Sequence, residues 1–375
     1  MLFFARVDEI FLKGNNQRMF FETLRENLKK LFSPTIIKRT EGGLLLDILE
    51  DDLSRLCLIP GIAKVSPTAI SENDLEKMAF KALELFKNIS LEKTFAVETT
   101  RSDKNFHLNS QTISKEVGNI IAQKTGLKVN LRNPDIKINI FLTKKESYIC
   151  VGEYLGIGGL PSGTSGKVLC LLSGGIDSPI ASYMMMKRGA QVQLIHFQNQ
   201  TQVTQEVSEK IFDLAKTLSF YQPEIKLHIV PFADWQKQVL MNIPADYRML
   251  ITRRLMFKIA EVVAKKEKCL GLATGDSLGQ VASQTLENLA VVYSATDILK
   301  LNPLSGSNKV EISQLAQKIG TLDISNRPYE DCCSLYVAKH PQTRAKMSNV
   351  DNLEKRLDLS TIDKTEVISY NISMR

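Results

Sequence analysis

One short run, SerGlyGlyIleAspSer at residues 173–178, constrains the fold of this chain more than any other feature. It follows the apolar residues 169–172 and precedes helix-forming residues, so it predicts a strand, a tight loop and a helix in that order. Two glycines allow the backbone to approach a phosphate group, and the positive end of the helix points at the same place. The hydroxyls of Ser173 and Ser178 can donate hydrogen bonds to phosphate oxygens, with Ser178 and Pro179 as N-cap and first helical residue. The run therefore predicts a phosphate-binding loop; a chance glycine-rich turn is the alternative.

The residues around this loop alternate between strand and helix patterns. Strands are predicted at 168–172, 191–197, 226–230 and 269–273, with helices at 178–187, 204–218 and 247–266 between them. Such alternation predicts an α/β fold with a doubly wound parallel sheet, in which ligands bind at the carboxyl edge. The loop lacks the GlyLys-Ser/Thr ending of a Walker A sequence, so it belongs to another class of nucleotide-binding loop.

The first 155 residues have the pattern of two small α+β units. Strand, helix, strand, helix are predicted at 2–7, 16–32, 44–49 and 51–58, and a second series follows at 64–70, 73–86, 94–100, 109–125, 136–142 and 147–151. A glycine- and serine-rich run at 156–166 predicts either a flexible linker or a loop in which backbones approach closely. The predicted domains are therefore 1–52, 53–156, a linker at 157–166, and 167–375.

Composition and charge limit the class of protein. Hydrophobic residues make up 43% and charged residues 24%, which is usual for a globular protein. No apolar run is long enough to suggest a membrane span and the N-terminus lacks a signal-peptide pattern, so a cytoplasmic location is expected.

The net charge of +7 is compatible with a polyanionic partner. Residues 101–137 carry seven basic against three acidic side chains, and the predicted RNA contacts there are Arg101, Lys104, Lys115, Arg132 and Lys137. A solvated helix face is the alternative.

The six cysteines fall into two groups. Four lie in apolar surroundings and are interpreted as small buried hydrophobic residues: Cys57, Cys150, Cys170 and Cys269. Cys332 and Cys333 are adjacent and lie in a polar stretch. No CxxC pair is present, so the sequence gives little support for a zinc site.

Further candidate residues are predicted near the loop. His196 ends the strand after it, although a buried core histidine is the alternative. Arg253 or Arg254 can reach a phosphate from the long helix; paired arginines on a helix are more often at the surface. In a second loop at 274–285, Gly275 is suited to backbone contact and Gln284 to side-chain contact with a nucleotide. Asp177 repels phosphate by its charge, which suggests that it acts through Mg²⁺ or orients the loop.

These motifs resemble those of the tRNA 4-thiouridine synthetase family over almost the whole chain. Residues 9–22 resemble its ferredoxin-like N-terminal domain, and residues 53–155 its THUMP domain, an RNA-binding module. SerGlyGlyIleAspSerPro and GlyAspSerLeuGlyGlnValAlaSerGlnThr resemble its PP-loop domain, which is of the adenine nucleotide α-hydrolase type and cleaves ATP between the α and β phosphates. The resemblance implies ATP contacts at Leu171, Leu172, His196, Phe197, Arg253, Gly275 and Gln284. The phosphate loop itself adds the candidate contacts Ser173, Gly174, Gly175, Asp177 and Ser178.

The resemblance also implies the reaction and its partners. Uridine O4 in tRNA would attack the α phosphate, with Mg²⁺ at Asp177 spreading charge, and sulfur would then displace AMP to give 4-thiouridine. The implied reactive cysteine is Cys332, with Cys333 as the alternative, and Lys309 is the implied functional lysine. Lys339, His340 and Arg344 would lower the pKa of that thiol or only contact RNA or solvent. The chain has no room for the rhodanese domain that some members carry, so sulfur is expected from another protein, such as a cysteine desulfurase, or from a small sulfur species. A homodimer is also implied, and a contribution to thiamine thiazole synthesis is a further possibility.

Two other functions compete with this one. Another PP-loop enzyme, such as an amide-forming synthetase, a lysidine synthetase or a 2-thiouridylase, would use the same loop with a different acceptor. An RNA-binding module with a degenerate nucleotide site is the alternative from another class. The intact loop argues against the second, and the basic N-terminal half and the adjacent cysteines argue against the first.

Overall fold

The computed structural model describes residues 1–7, 9–86, 93–199, 209–328 and 341–373. The chain divides into two compact units, Met1–Leu160 and Pro161–Arg375. The finer division into three domains and a linker stays a prediction.

The first unit is a mixed α+β structure whose predicted helices and strands occur in the predicted order, with three additional strands, β2, β6 and β9. Its elements are β1 (Leu2–Arg6), α1 (Gln17–Phe32), β2 (Ile36–Thr40), β3 (Gly43–Asp47), α2 (Leu53–Leu56), β4 (Lys64–Ser71), α3 (Leu75–Glu84), β5 (Thr94–Arg101), α4 (Ser110–Thr125), β6 (Lys128–Val129), β7 (Ile136–Leu142), β8 (Ser147–Val151) and β9 (Tyr154–Leu155). Strand β2 was missed from the sequence. It forms a hairpin with β3 through the turn at Glu41 and Gly42.

All strands of this unit belong to one sheet, and β4 is shared by its two halves. The sheet order is β2-β3-β1-β4-β8-β7-β5-β6, with β9 also paired to β4. The first half of β4 pairs antiparallel with β1, and its second half pairs antiparallel with β8. Helix α1 packs on one half through Phe20, Phe21, Leu24 and Leu28, while α3 and α4 cover the other half. The unit therefore has one apolar core under α1, another under α3 and α4, and a smaller third cluster formed by Phe4, Leu45, Tyr148 and Cys150.

The second unit contains the predicted doubly wound sheet. Its elements are β10 (Lys167–Leu171), α5 (Asp177–Lys187), β11 (Gln191–Gln198), α6 (Glu209–Leu218), β12 (Ile225–Pro231), α7 (Ala233–Asn242), α8 (Arg248–Glu267), β13 (Gly271–Ala273), α9 (Leu286–Tyr293), β14 (Leu299–Leu301), α10 (Lys309–Lys318), α11 (Leu322–Ser325), α12 (Met347–Glu354) and β15 (Ile368–Ile372). The strand order is β14-β13-β10-β11-β12-β15. Five strands run parallel, as predicted, and β15 adds an antiparallel edge strand on β12.

The glycine-rich run at 156–166 is hydrogen-bonded on both sides of the unit boundary. The amides of Gly156 and Gly158 donate to the carbonyl oxygens of Ala63 and Ile62 within the first unit. A Cβ atom on Gly156 would lie 2.2 Å from the carbonyl oxygen of Ile62, so this position requires glycine. Of the two predicted alternatives, close backbone packing is the one that the structure contains.

Within the described ranges, no helix combines the length and apolar character that crossing a membrane requires.

Candidate active site

The loop at 173–178 is closed by its two serine hydroxyl groups. The Ser178 hydroxyl oxygen accepts a hydrogen bond from the Ser173 amide at 2.8 Å, and the two hydroxyl oxygens lie 3.1 Å apart. Helix α5 begins at Asp177, with Ile176 at the N-cap and no side-chain cap. The prediction that Ser178 is the N-cap was therefore wrong. Its hydroxyl bonds back across the loop to Ser173 instead of capping its own helix.

A second loop packs against the first one, backbone to backbone. It follows β13, the neighbour of β10 in the sheet, and contains Gly275. A Cβ atom on Gly275 would lie 2.7 Å from both the carbonyl carbon of Asp177 and the amide nitrogen of Ser178. Real Cβ atoms do not approach other atoms this closely, so only glycine fits here. The sequence-predicted glycine thus sets the distance between the two loops.

Asp276 organises the residues next to this contact. Its buried carboxylate accepts hydrogen bonds from Arg253 at 2.5 Å, Tyr293 at 2.6 Å, Thr274 at 2.8 Å and Gln284 at 3.0 Å. Burial alone would raise the pKa of Asp276, but the Arg253 guanidinium and these hydrogen bonds outweigh it and lower the pKa. Asp276 is therefore an ionised anchor, and it was not among the residues predicted from the sequence.

Arg253 and Gln284 are fixed by Asp276 and line one cavity together with the phosphate loop. The cavity measures about 570 Å³, within the usual range for small-molecule sites. Gln284 donates from Nε2 to Asp276, and its Oε1 atom has no hydrogen-bond partner among the described residues. The polar lining includes Ser173 and Asp177, and Met249 and Phe257 of α8 add apolar surface. A phosphate-bearing ligand with one apolar face suits this combination.

Arg254 lies beside Arg253 on α8 but has a structural role. It is 4% exposed and forms an ion pair with Glu354 at 2.9 Å. It also donates to the carbonyl oxygen of Val291 at 2.6 Å. The alternative that both arginines lie at the surface was therefore wrong, since one faces the cavity and the other joins α8 to α12.

Asp177 lines the cavity, and the pKa of its carboxyl group is raised. Burial is the main cause that raises its pKa; the hydrogen bond from Gln280 at 3.1 Å opposes this effect, as does the charge of Lys309. Lys309 is exposed at the first turn of α10, where the Asn308 side chain caps the helix. The charge of Lys309 thus acts on the carboxyl group of Asp177, and both residues were predicted from the sequence.

Two predicted ATP contacts, His196 and Phe197, are buried and are not among the residues that line this cavity. His196 is buried and donates from Nδ1 to the carbonyl oxygen of Leu172 at 2.8 Å. The ring of Phe197 packs edge-on against Phe232 at 5.2 Å. His196 thus has the environment of the core histidine given as the alternative. Leu171, by contrast, lines the cavity.

Among the described residues, no group of three or more histidine, cysteine, aspartate or glutamate side chains is arranged to hold a metal ion. Mg²⁺ in nucleotide sites uses one or two carboxylates together with phosphate oxygens, so a single carboxylate at Asp177 fits such an ion.

Cys332 and Cys333 lie outside the described residues, as do Lys339 and His340. The other four cysteines are free thiols; Cys57 is half-buried, whereas the remaining three are buried. Burial raises the pKa of Cys150 and of Cys170 to about 12 and that of Cys269 to about 11. Thiols with such pKa values are unreactive at neutral pH, which agrees with a packing role.

The predicted RNA contacts differ in solvent exposure and in the hydrogen bonds and ion pairs that their side chains form. Lys104, Lys115 and Arg132 are exposed, and Lys137 is exposed but paired with Glu98 at 2.9 Å. Arg101 is half-buried and donates to two backbone carbonyl oxygens of its own loop, at 2.5 and 3.1 Å. Its guanidinium thus stabilises the loop between β5 and α4.

Four cations that the sequence analysis missed surround a hollow of about 710 Å³ in the first unit: Lys38, Arg39, Lys144 and Lys145. They come from the β2–β3 and β7–β8 hairpins. The signal was a pair of basic residues in each hairpin, Lys38 and Arg39 within β2 and Lys144 and Lys145 at the β7–β8 turn, but the first hairpin was not recognised.

Comparison with known families gives matches over most of the chain. The family described as "Thiamine biosynthesis protein (ThiI)" matches residues 163–359. The "ThiI ferredoxin-like domain" matches residues 2–66 and the "THUMP domain" residues 72–152. Residues 67–71, between the last two matches, lie within β4.

Similar proteins include curated relatives and solved structures. A "Probable tRNA sulfurtransferase" of Thermoanaerobacter sp. (strain X514) is 40% identical over 93% of each chain. A protein of the same description from Geobacillus kaustophilus (strain HTA426) is 37% identical over 95% of this chain and 91% of its own. A solved 4-thiouridine synthetase in complex with RNA and bound ATP is 33% identical, covers 99% of each chain and has a TM-score of 0.89. PH1313 from Pyrococcus horikoshii Ot3, at 22% identity and a TM-score of 0.65 over 85% of this chain, shares the fold.

Proposed function

Because this chain belongs to the ThiI family of tRNA sulfurtransferases, we infer that it uses ATP to replace the O4 oxygen of a tRNA uridine with sulfur, forming 4-thiouridine. The structural observation that best supports this function is the packing of the Gly275 loop against the phosphate loop beside the 570 Å³ cavity. We propose uridine 8 of tRNA as the target.

The first half of the reaction is adenylation. A pyrimidine carbonyl oxygen is a poor leaving group, and its attack on the α phosphate of ATP, with release of pyrophosphate, makes AMP the leaving group instead. The phosphate loop supplies backbone amides and the positive end of α5, while Arg253 contributes a fixed positive charge at the cavity wall. Asp177 would hold Mg²⁺, which when bound spreads the negative charge of the phosphates.

The second half of the reaction is sulfur transfer at C4. We propose that Cys332 or Cys333 carries the sulfur, because the four described cysteines have burial or a raised pKa that makes them poor nucleophiles. Sulfur would arrive on a donor protein such as a cysteine desulfurase. A contribution of the same activity to thiamine thiazole synthesis is part of the proposal.

tRNA would be bound by the first unit. Exposed Lys104, Lys115 and Arg132 suit phosphate contacts, which position an RNA without reading its sequence. A stacked target base would have to turn out of the helix to reach the cavity. We further propose a homodimer, in which one subunit holds the RNA and the other carries out the chemistry, and a cytoplasmic location.

The test is a reconstituted reaction with tRNA, ATP, Mg²⁺ and a sulfur donor. Mass spectrometry of the nucleosides should detect 4-thiouridine, and AMP and pyrophosphate should accumulate with it. Asp177→Ala should lower AMP formation by at least tenfold, whereas Asp297→Ala, at an exposed position of the same unit, should not. Full ATP cleavage by Asp177→Ala would contradict the role of this carboxylate. A different modified nucleoside would favour another PP-loop activity, and binding of tRNA without any ATP cleavage would indicate an RNA-binding module.

A further inference from the structure

Lys210, in the first turn of α6, is a buried cation that the proposed reaction does not use. Its side chain belongs to a residue that is 7% exposed, and its ammonium group donates to the carbonyl oxygens of Ser325 at 2.8 Å and Arg327 at 2.7 Å. Removing an ammonium group from water is unfavourable, and a methionine or leucine would fill the same space without that penalty. We therefore interpret the positive charge of Lys210 by its hydrogen bonds, which fix the backbone at residues 325–327.

The same helix holds this segment at a second point. Asp213, three residues after Lys210, forms an ion pair with the guanidinium of Arg327. Both partners are well exposed, so this pair contributes little by itself. Together with Lys210 it fixes both the backbone and the side chain of Arg327 relative to α6.

The held segment also contacts the phosphate loop. The Ser325 hydroxyl group donates to the carbonyl oxygen of Gly175 at 3.3 Å. Ser325 ends α11 and is 8% exposed. A continuous chain of hydrogen bonds therefore runs from the loop that is expected to bind phosphate, through Ser325, to the ammonium group of Lys210.

The sequence that follows this anchor contains the paired cysteines. Arg327 precedes Cys332 by five residues, and five residues reach at most about 18 Å even when fully extended. Fixing residues 325–327 against the phosphate loop thus limits how far from that loop a sulfur on either cysteine can be delivered.

We propose that Lys210 is a positioning residue for the sulfur-transfer step, which holds the start of the cysteine-bearing segment against the phosphate loop. The inference rests on the proposed function, namely that Cys332 or Cys333 delivers the sulfur. Without this anchor, adenylation continues but sulfur meets the adenylated uridine less often. Water then attacks C4, AMP leaves and uridine is regenerated, so that ATP and one water are converted to AMP and pyrophosphate without product.

The experiment measures AMP and 4-thiouridine in the same reaction for four proteins. Lys210→Met removes the charge and keeps the volume, Lys210→Arg keeps the charge, and Lys216→Met is a matched control at an exposed position of the same helix. For Lys210→Met we expect AMP formation and the KM for ATP within about threefold of wild type, and at least a tenfold lower yield of 4-thiouridine per AMP. Lys210→Arg should recover most of this yield, and Lys216→Met should match wild type.

Two results would overturn the inference: an unchanged yield per AMP in Lys210→Met, or an equal loss of AMP and 4-thiouridine in a folded variant. If Lys210→Met does not fold, Ser325→Ala decides the matter, since it removes only the hydroxyl group that reaches Gly175. It should lower the yield per AMP by at least threefold, and an unchanged yield would refute the link. Failure of the wild-type protein to form either product would contradict the proposed function instead.

Discussion

Replacing Gly275 with alanine tests the contact between the two loops of the site. The added Cβ atom would lie 2.7 Å from two backbone atoms of the phosphate loop, Asp177 C and Ser178 N. Ordinary contacts between heavy atoms are about 3.5–4.0 Å, so the loops must separate by roughly 1 Å. Neither obstacle is the flexible end of a side chain, so the backbone itself has to move.

This displacement should lower both the stability of the protein and the rate of the reaction. Overpacking of this kind costs about 1–3 kcal/mol, which lowers Tm by about 2–12 °C for a unit of this size. A misplacement of about 1 Å in a reacting geometry costs on the order of 100-fold in rate. We therefore expect Gly275→Ala to lower kcat/KM for AMP formation by about 100-fold, a larger effect than the loss of stability alone can explain while the protein remains folded.

The assay is AMP release in the presence of tRNA and a sulfur donor, together with a thermal unfolding curve. Gly306→Ala is the matched control, because a Cβ atom on Gly306 would have no atom within 4 Å among the described residues other than its own chain neighbours. It should leave both the rate and Tm unchanged. A Gly275→Ala protein with a rate within threefold of wild type and an unaltered Tm would refute the argument from close packing.

Three further predictions concern buried polar groups. Asp276→Asn removes the countercharge of Arg253 and should weaken ATP binding at least tenfold by isothermal titration calorimetry; unchanged affinity would show that Asp276 does not position the site. Arg254→Met leaves Glu354 without its closest cation and should cost about 3 kcal/mol in urea unfolding, most of which Arg254→Met combined with Glu354→Leu should recover. Burial lowers the pKa of His228 to about 4, so between pH 6.5 and 4 the unfolded chain takes up a proton that the folded chain does not, and stability should fall as the pH decreases through this window. His228→Gln should reduce that dependence, and an identical pH profile of the urea midpoint would contradict it.

The strands and helices that carry the site could be predicted because their signals are local. The apolar strand, the paired glycines and the start of α5 are adjacent in sequence, so the phosphate loop was located from residues 169–179 alone. Gly275 was predicted from the composition of its own loop. Its contact with Asp177 depends on β10 and β13 being neighbours in the sheet, which no local pattern specifies.

What the sequence missed depends on distant partners. The role of Asp276 in the site depends on hydrogen bonds from Arg253 and Tyr293, which lie 23 and 17 residues away in the sequence. Adjacent Arg253 and Arg254 point in different directions on α8, and only the packing of α12 determines which one is buried with Glu354. Strand β15 alternates between half-buried and exposed side chains, but its pairing with β12 joins residues more than 130 positions apart.

The shared strand β4 has a consequence for how the first unit can be divided or altered. Eight residues of extended chain span about 26 Å, and this one strand pairs with β1 over its first half and with β8 over its second half. A fragment that starts after residue 71 would leave the edge of β8 unpaired, which favours aggregation. An insertion within β4 would change the distance between the part of β4 that pairs with β1 and the part that pairs with β8.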